Sequence, residues 1–351
     1  MPDVAPEEKF ALTTSRGFES LLHSLGGSIA FTTYQAGKLF MLGLKDNGRL
    51  SVHERNFARC MGLGVSTDAR TLLLATHYQI FRFDNVLPQG TRQGETDAVY
   101  VPRLSWITGD LDAHDVAFGK DGKPLFVNTA FGCVAEASEG HSFKPLWLPP
   151  FITKLAPEDR CHLNGFAVEN SVPRYATAVS KSNVVDGWRD KRSGGGIVID
   201  MQTNEIVCEG LSMPHSPRLQ DGKLWVLNSG AGEFGYVDVA AGKFQSIAFC
   251  PGYARGLSFA GKYALVGLSL SRDNRTFQGL PLEAALAKND ATARCGLLVI
   301  DTETGDTAGW VRLEGVVREL YDVAFLPGVK CPTALGFKSD EITRVINIDE
   351  G

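Results

Sequence analysis

Six stretches of this chain superpose on one another: "RCMGLGV" (59–65), "DAHDVAF" (112–118), "HLNGFAV" (162–168), "PHSPRL" (214–219), "ARGLSF" (254–259) and "ELYDVAF" (319–325). Most are followed by a turn and a second strand, as in "GKDGKPLFV", "QDGKLWV", "AGKYALV" and "STDARTLLL". The third residue of the pattern is Met61, His114, Asn164, His215, Arg255 and Tyr321 in turn, with spacings by subtraction of 53, 50, 51, 40 and 66 residues. A repeat of about 50 residues with room for about four short strands is the pattern of a β-propeller blade. One such unit cannot bury both of its faces alone, so the repeats stack side by side.

Helical periodicity is confined to "FESLLHSL" (18–25) and "LPLEAALAK" (280–288). The rest reads as short apolar or alternating strands separated by Gly, Asp or Asn turns. "SIAFTTY", "KLFMLGL" and "LSVHERNF" (28–57) precede the first repeat and supply most of a further blade. The expected fold is therefore all-β, a single β-propeller of seven blades, with six as the alternative. The last repeat offers only "ELYDVAF", "PTALGF" and "ITRVINI", so the N-terminal "KFALTTS" is expected to complete its blade and close the ring, removing free sheet edges. Residues 1–27 read as an N-terminal arm with a short helix, and 28–351 as the propeller. Within it, 271–294 is expected to project over one face as a lid, and 184–196 forms a second long loop.

Composition narrows the partners. A net charge of -5, with no Lys/Arg block of five or more, gives no electrostatic footprint for nucleic acid or an anionic membrane. The opening "MPDVAPEEKFALTTSRG" lacks the apolar core of a signal peptide, and no 18 apolar residues run together, so the expected location is the cytoplasm. Seven widely spaced cysteines without a C-x-x-C pair point to reduced core residues rather than disulfides or a zinc knuckle. No Walker, H-E-x-x-H or G-x-S-x-G motif is present. The expected partner is a small-molecule or peptide substrate, and the oligomeric state stays open.

"AFTTYQAGKLFMLG" (30–43), "RCMGLGV" and "HLNGFAV" resemble an uncharacterised conserved family, a domain of unknown function of the DUF4915 kind, similar to the YWTD-like and SMP30-like propellers. The likeness spans nearly the whole chain. It implies the fold and brings no activity, so function rests on the site.

In a propeller the first strand of each blade lines the central channel, so the aligned third position is an expected ring. Two residues earlier, a second layer holds Arg59, Asp112, His162, Met213, Tyr253 and Glu319. Three of the seven histidines fall in these layers. His114, His162 and His215 are the expected ligands of a divalent metal: zinc or iron, with copper, nickel or calcium as alternatives. Asp112, Asn164, Met61 and Arg59 would touch substrate or support those ligands. Arg255 would hold a substrate carboxylate, and Tyr321 or Glu319 would move the proton. Asp115 and Asp322, one residue past the ring, would point away from the channel and fasten neighbouring blades. Asn228, Ser229 and Glu233 read as a plain turn at the rim.

By architecture, this set resembles the amidating lyases, propellers with a channel zinc on three histidines beside a Tyr and an Arg. It is similar in outline to the carotenoid oxygenases, whose iron sits on four histidines. The expected function is a metal-dependent enzyme with a central-channel active site, lyase-like or hydrolytic on a small polar carboxylate-bearing substrate. The alternatives are a non-catalytic propeller scaffold for a protein or peptide, and a cation-dependent lactonase of the SMP30-like kind using Glu319, Asn164 and Asp112.

Overall fold

The apolar runs within Lys38–Leu44 and Cys295–Asp301 signal strands covered on both faces. The computed structural model describes residues 10–270 and 278–348. Among them the strands form six sheets, each built from an inner strand outward. Blade 2 begins with Leu63–Val65, blade 3 with Ala113–Phe118, blade 4 with Leu163–Glu169, blade 5 with Pro214–Gln220 and blade 6 with Tyr253–Ala260. Blade 1 takes its inner strand, Val323–Pro327, from the far end of the chain and its other three from Gly27–Thr33, Lys38–Leu44 and Leu50–Asn56.

The propeller therefore has six blades, not seven. The three strands before the first repeat and the strand of the last repeat are two parts of one blade, joined by antiparallel pairing of Phe31 with Val323 and Gly27 with Pro327. The N-terminal strand Ala11–Thr14 adds instead to the outer edge of blade 6, Ala11 opposite Glu314. Pro332–Ala334 pairs in parallel with the outer strand of blade 2, and the "ITRVINI" stretch contains a single 3-10 turn, Asp340–Thr343, in place of a strand. Terminal segments thus tie three consecutive blades.

Packing follows from the period of two along each strand. In blade 1, Leu39 and Met41 face blade 2, joining Leu72, Leu74 and Phe83, while Phe40 and Leu42 face blade 6, joining Leu265, Leu297 and Val299. Each of the six seams carries one such apolar cluster. The helix Phe18–Leu25 sets Phe18 and Leu22, one turn apart, against the seam of blades 6 and 1 and stops at Gly26, whose φ of 69° is left-handed. All seven cysteines are free and buried. Burial pushes the thiols of Cys60, Cys133, Cys161, Cys250 and Cys295 up to about 12. No helix among the described residues is long and apolar enough to cross a membrane.

Next to the ring position the blades alternate. Blades 1, 3 and 5 carry Asp322, Asp115 and Ser216 there, and blades 2, 4 and 6 carry Gly62, Gly165 and Gly256. Each polar residue reaches the following blade: Asp322 Oδ2 accepts the Leu63 N–H at 2.8 Å, Asp115 Oδ2 the Phe166 N–H at 3.2 Å, and Ser216 Oγ the Gly256 N–H at 3.1 Å. Each glycine lies against the polar residue of the next blade, so a Cβ on Gly62 would fall 2.9 Å from Asp115 Cα. The fastening expected of Asp115 and Asp322 is present, but the two do not point away from the channel. Arg218 of blade 5 donates to Asp115 at 2.8 and 3.1 Å and lies 3.7 Å from Asp322. Side chains of blades 1, 3 and 5 can meet only across the channel axis.

The loop 184–196 of blade 4 and residues 278–294 of blade 6 share a face, each preceding the third strand of its blade. Inner strands begin at this same end. Residues 271–277, the first part of the expected lid, lie outside the described residues. The helix Pro281–Lys288 sets Leu282 among Val179, Trp188, Met213 and Tyr253.

Candidate active site

At the mouth of each channel strand the backbone turns sharply. Arg59, Asp112, His162 and Met213, the aligned residues two before the ring, have φ values of 53°, 50°, 51° and 47°. Left-handed backbone at non-glycine residues costs energy and persists where the surroundings demand it. Here the turn aims two of these carbonyls at the ring residue two positions on. Asp112 O lies 2.9 Å from His114 Nδ1, and Met213 O lies 2.9 Å from His215 Nδ1.

These contacts fix the tautomers. His114 Nδ1 also lies 2.8 Å from Thr129 Oγ1, whose own proton goes to Leu163 O at 2.6 Å. Facing two acceptors, Nδ1 carries the hydrogen, and Nε2 is left as a lone pair. Burial pushes the His114 imidazole down to about 4, so the ring is neutral at physiological pH. Beside it, Asp112 accepts from Arg59 Nη2 at 3.0 Å, and Arg59 reaches Asp110 at 3.0 Å. Burial opposes the charge on Asp112, but His114, His162, Arg59 and Arg255 together hold its carboxyl below the usual range.

His162 has a different partner. Its Nδ1 lies 3.1 and 2.9 Å from the two oxygens of Asp159, which also accepts from Trp188 Nε1 at 2.8 Å. The imidazole stacks on Trp188 with centroids 4.1 Å apart and meets His114 edge to face at 5.0 Å. A carboxylate accepting from Nδ1 fixes the tautomer and leaves Nε2 as the nitrogen that can accept a proton.

His215 is turned elsewhere. With Nδ1 donating to Met213 O, its Nε2 must accept, and it faces Asn164 Nδ2 and Arg255 Nη2, both at 3.4 Å. Asn164 is itself set by Thr177 Oγ1, which donates to its Oδ1 at 2.8 Å. Burial, and then the Arg255 charge, push His215 well below its ordinary value. The Arg255 guanidinium lies 4.2 Å over the Tyr321 ring. Burial opposes its charge too, yet Tyr321, Tyr253, Glu319 and Asp112 together hold it above its ordinary value. Among the described residues no carboxylate lies within ion-pair distance of Arg255, and its buried Nε has no hydrogen-bond partner.

A pocket of about 180 Å³ opens between these groups, walled by Asp112, His114, His162, Met213, Arg255 and Tyr321 of the aligned layers, with Tyr34, Asp159, Trp188 and Arg189 completing it. The expected three-histidine centre is not gathered. Among the described residues no three His, Cys, Asp or Glu side chains are placed to hold a metal ion. The cause lies at His215, whose Nε2 looks at a cation and an amide. Met61 is fully buried in the seam of blades 2 and 3 and does not line the pocket. Glu319 is also off the wall, with Oε1 accepting the Gln35 N–H at 2.8 Å. Arg59 and Asn164 stand behind the wall and act on it through Asp112 and His215. At the rim, Asn228 accepts the Ser212 N–H and donates to Glu233, on either side of the 3-10 turn Ser229–Ala231.

Sequence reasoning missed Tyr34, Asp159, Trp188, Arg189 and, on the axis, Arg218. Tyr34, Trp188 and Arg189 sit in connections between second and third strands, on the face where the inner strands begin. An aromatic or charged residue in such a connection was the available signal.

Fold and site together define a class: a six-bladed propeller with a polar pocket in the mouth of its channel. Residues 16–335 match the family described as a domain of unknown function, DUF4915, and the chain belongs to that family. No curated protein matches the sequence. Among solved structures, it is similar to a chain from the crystal structure of the nidogen/laminin complex, with 12% identity and a TM-score of 0.53 over 86% of this chain and 99% of that one. At this identity the likeness shows the fold alone. A protein of unknown function from Bacteroides caccae has 11% identity and a TM-score of 0.49 over 86% of this chain and 99% of that one. Virginiamycin B lyase from Staphylococcus aureus has 13% identity and a TM-score of 0.40 over 74% and 96%. Neither of these two carries an argument about function.

Proposed function

We propose that the protein is an enzyme of acid–base chemistry, lyase-like or hydrolytic, acting on a small carboxylate-bearing substrate in the channel pocket. The observation that carries this is Arg255: a guanidinium on the pocket wall, anchored by an imidazole and a phenol ring, with no carboxylate at ion-pair distance among the described residues. A buried cation without a paired anion is costly, and a bound carboxylate meets its planar fork in bidentate fashion. The volume of about 180 Å³ lies below that of a drug-sized pocket and limits the substrate to a few heavy atoms.

In this reading, the substrate carboxylate rests on Arg255 and the reacting atom lies against His162. Nε2 of His162 takes a proton from substrate carbon or from water, and Asp159 stabilises the imidazolium. The same proton then goes to the leaving group, so elimination or hydrolysis closes without a further reactant. His114 stays neutral and orients the substrate. The set His114, His162 and His215 as a metal centre forms no part of this reading, because Arg255 stands against the lone pair of His215.

The test is conversion. Short hydroxy and acyloxy carboxylic acids are incubated with the full chain, before and after exhaustive chelation, and products are read by NMR. At least one acid should be converted in both preparations, and His162→Gln should slow it by about a hundredfold or more. Conversion that His162→Gln does not slow, or a metal present in stoichiometric amount and lost in each of His114→Ala, His162→Ala and His215→Ala, would contradict the reading.

A further inference from the structure

The pocket asks for more than an anion, an inference that rests on the reading of Arg255 given above. Besides that cation, the same pocket wall offers acceptors. His114 Nδ1 is occupied by Asp112 O and by Thr129 Oγ1, so the atom it leaves toward the pocket is the Nε2 lone pair. Asp112 lines the same pocket with its side chain 31% exposed. Arg59 takes Oδ1, and the contact of Oδ2 with His114 Nδ1 is 3.6 Å, beyond hydrogen-bond length. Both residues line the pocket, and neither the Nε2 lone pair nor the carboxylate carries a hydrogen with which to satisfy the other. Arg255 and His114 both pack on the Tyr321 ring, the guanidinium at 4.2 Å and the imidazole at 5.5 Å from its centroid. In a pocket of about 180 Å³ one small molecule can therefore meet the cation and these acceptors together.

We infer that the substrate is a short carboxylic acid bearing a hydrogen-bond donor, a hydroxyl or an amine, close to its carboxylate: the carboxylate lies on Arg255 and the donor points at His114 Nε2 and Asp112. A plain carboxylic acid of the same size leaves both acceptors unmatched when it displaces their water, which is where a site built around a donor discriminates most strongly.

Three-carbon acids of matched size test this on the full chain by titration calorimetry: lactate with a hydroxyl, alanine with an ammonium, and propionate with neither. Lactate or alanine should bind at least about tenfold more tightly than propionate, and His114→Phe should bring that ratio close to one. A preference for alanine over lactate that Asp112→Asn reverses assigns the donor as an amine, and a preference for lactate assigns a hydroxyl. Equal affinities for all three acids, with propionate binding still lost in Arg255→Met, would overturn the inference and leave the anion site standing. Failure of all three acids to bind would sink the Arg255 reading and this inference with it. Should His114→Phe not fold, as judged by circular dichroism, Asp112→Asn supplies the ratio in its place.

Discussion

Arg255 and His215 show how one residue fixes another without touching substrate. The imidazole can accept from the guanidinium only because Met213 O takes the hydrogen on Nδ1. His215→Phe should therefore weaken lactate or propionate binding by about tenfold, a hydrogen bond to a charged group being worth about 1.5–3 kcal/mol. His215→Gln, which keeps an acceptor, should recover most of it; equal losses in both variants would point to a packing role. His114 makes a statement about stability. Its pKa of about 4 in the folded protein lies below the unfolded value near 6.5, so the unfolded chain binds more protons between those limits. Stability contributed by the neutral ring is complete above pH about 6.5 and is lost as pH falls toward 4, by about 3 kcal/mol. Chemical denaturation of wild type and His114→Phe across that window should show a shallower pH slope in the variant; parallel slopes would contradict the neutral assignment.

Whole elements were legible in the sequence to different degrees. Period-two strands and the aligned starts of the inner strands could be read directly, because every blade buries the same two faces. That alignment brought Asp112, His114, His162, Arg255 and Tyr321 to one pocket. It could not separate wall from support: Met61 and Glu319 share the alignment but turn into a seam and onto a loop amide. Trp188, Arg189, Tyr34 and Asp159 lay outside the repeat, where spacing carries no register. The helix Pro281–Lys288 packs on the site from the other long loop, through Leu282 against the Trp188 and Met213 cluster. Leu282 is 2% exposed, so Leu282→Ala leaves a cavity there. Amide hydrogen exchange over 281–288 should quicken at least tenfold in this variant, with a smaller change in the propeller strands. Unchanged exchange would show that the helix is held by other contacts.

Across the whole molecule, closure decides the count of blades. A strand at 323–327 completing a sheet begun at 27–33 was not visible as such, since nothing local to either segment marks the pairing. The axis was equally hidden, because Arg218 lies three residues beyond the ring position and meets its partners only when six blades close. Burial pushes the Asp322 carboxyl up to about 7, with Arg218 opposing and Asp115 reinforcing. Removing the guanidinium leaves two buried carboxylates facing each other, so Arg218→Met should cost about 3–5 kcal/mol in urea denaturation at pH 8. The folded pKa of Asp322 lies above its unfolded value, so the folded state binds the extra proton and this loss should shrink as pH falls from 8 toward 5. A loss independent of pH, or below about 1 kcal/mol, would contradict the staple.

Everything proposed for the channel pocket depends on its receiving a carboxylate on Arg255. A crystal structure of the protein grown with millimolar lactate tests it most directly. The carboxylate should lie inside the pocket, its oxygens at hydrogen-bond distance from Arg255, and its hydroxyl toward His114 and Asp112. Arg255 found paired with Glu319 or Asp112, or a metal ion bound by His114, His162 and His215, would contradict it.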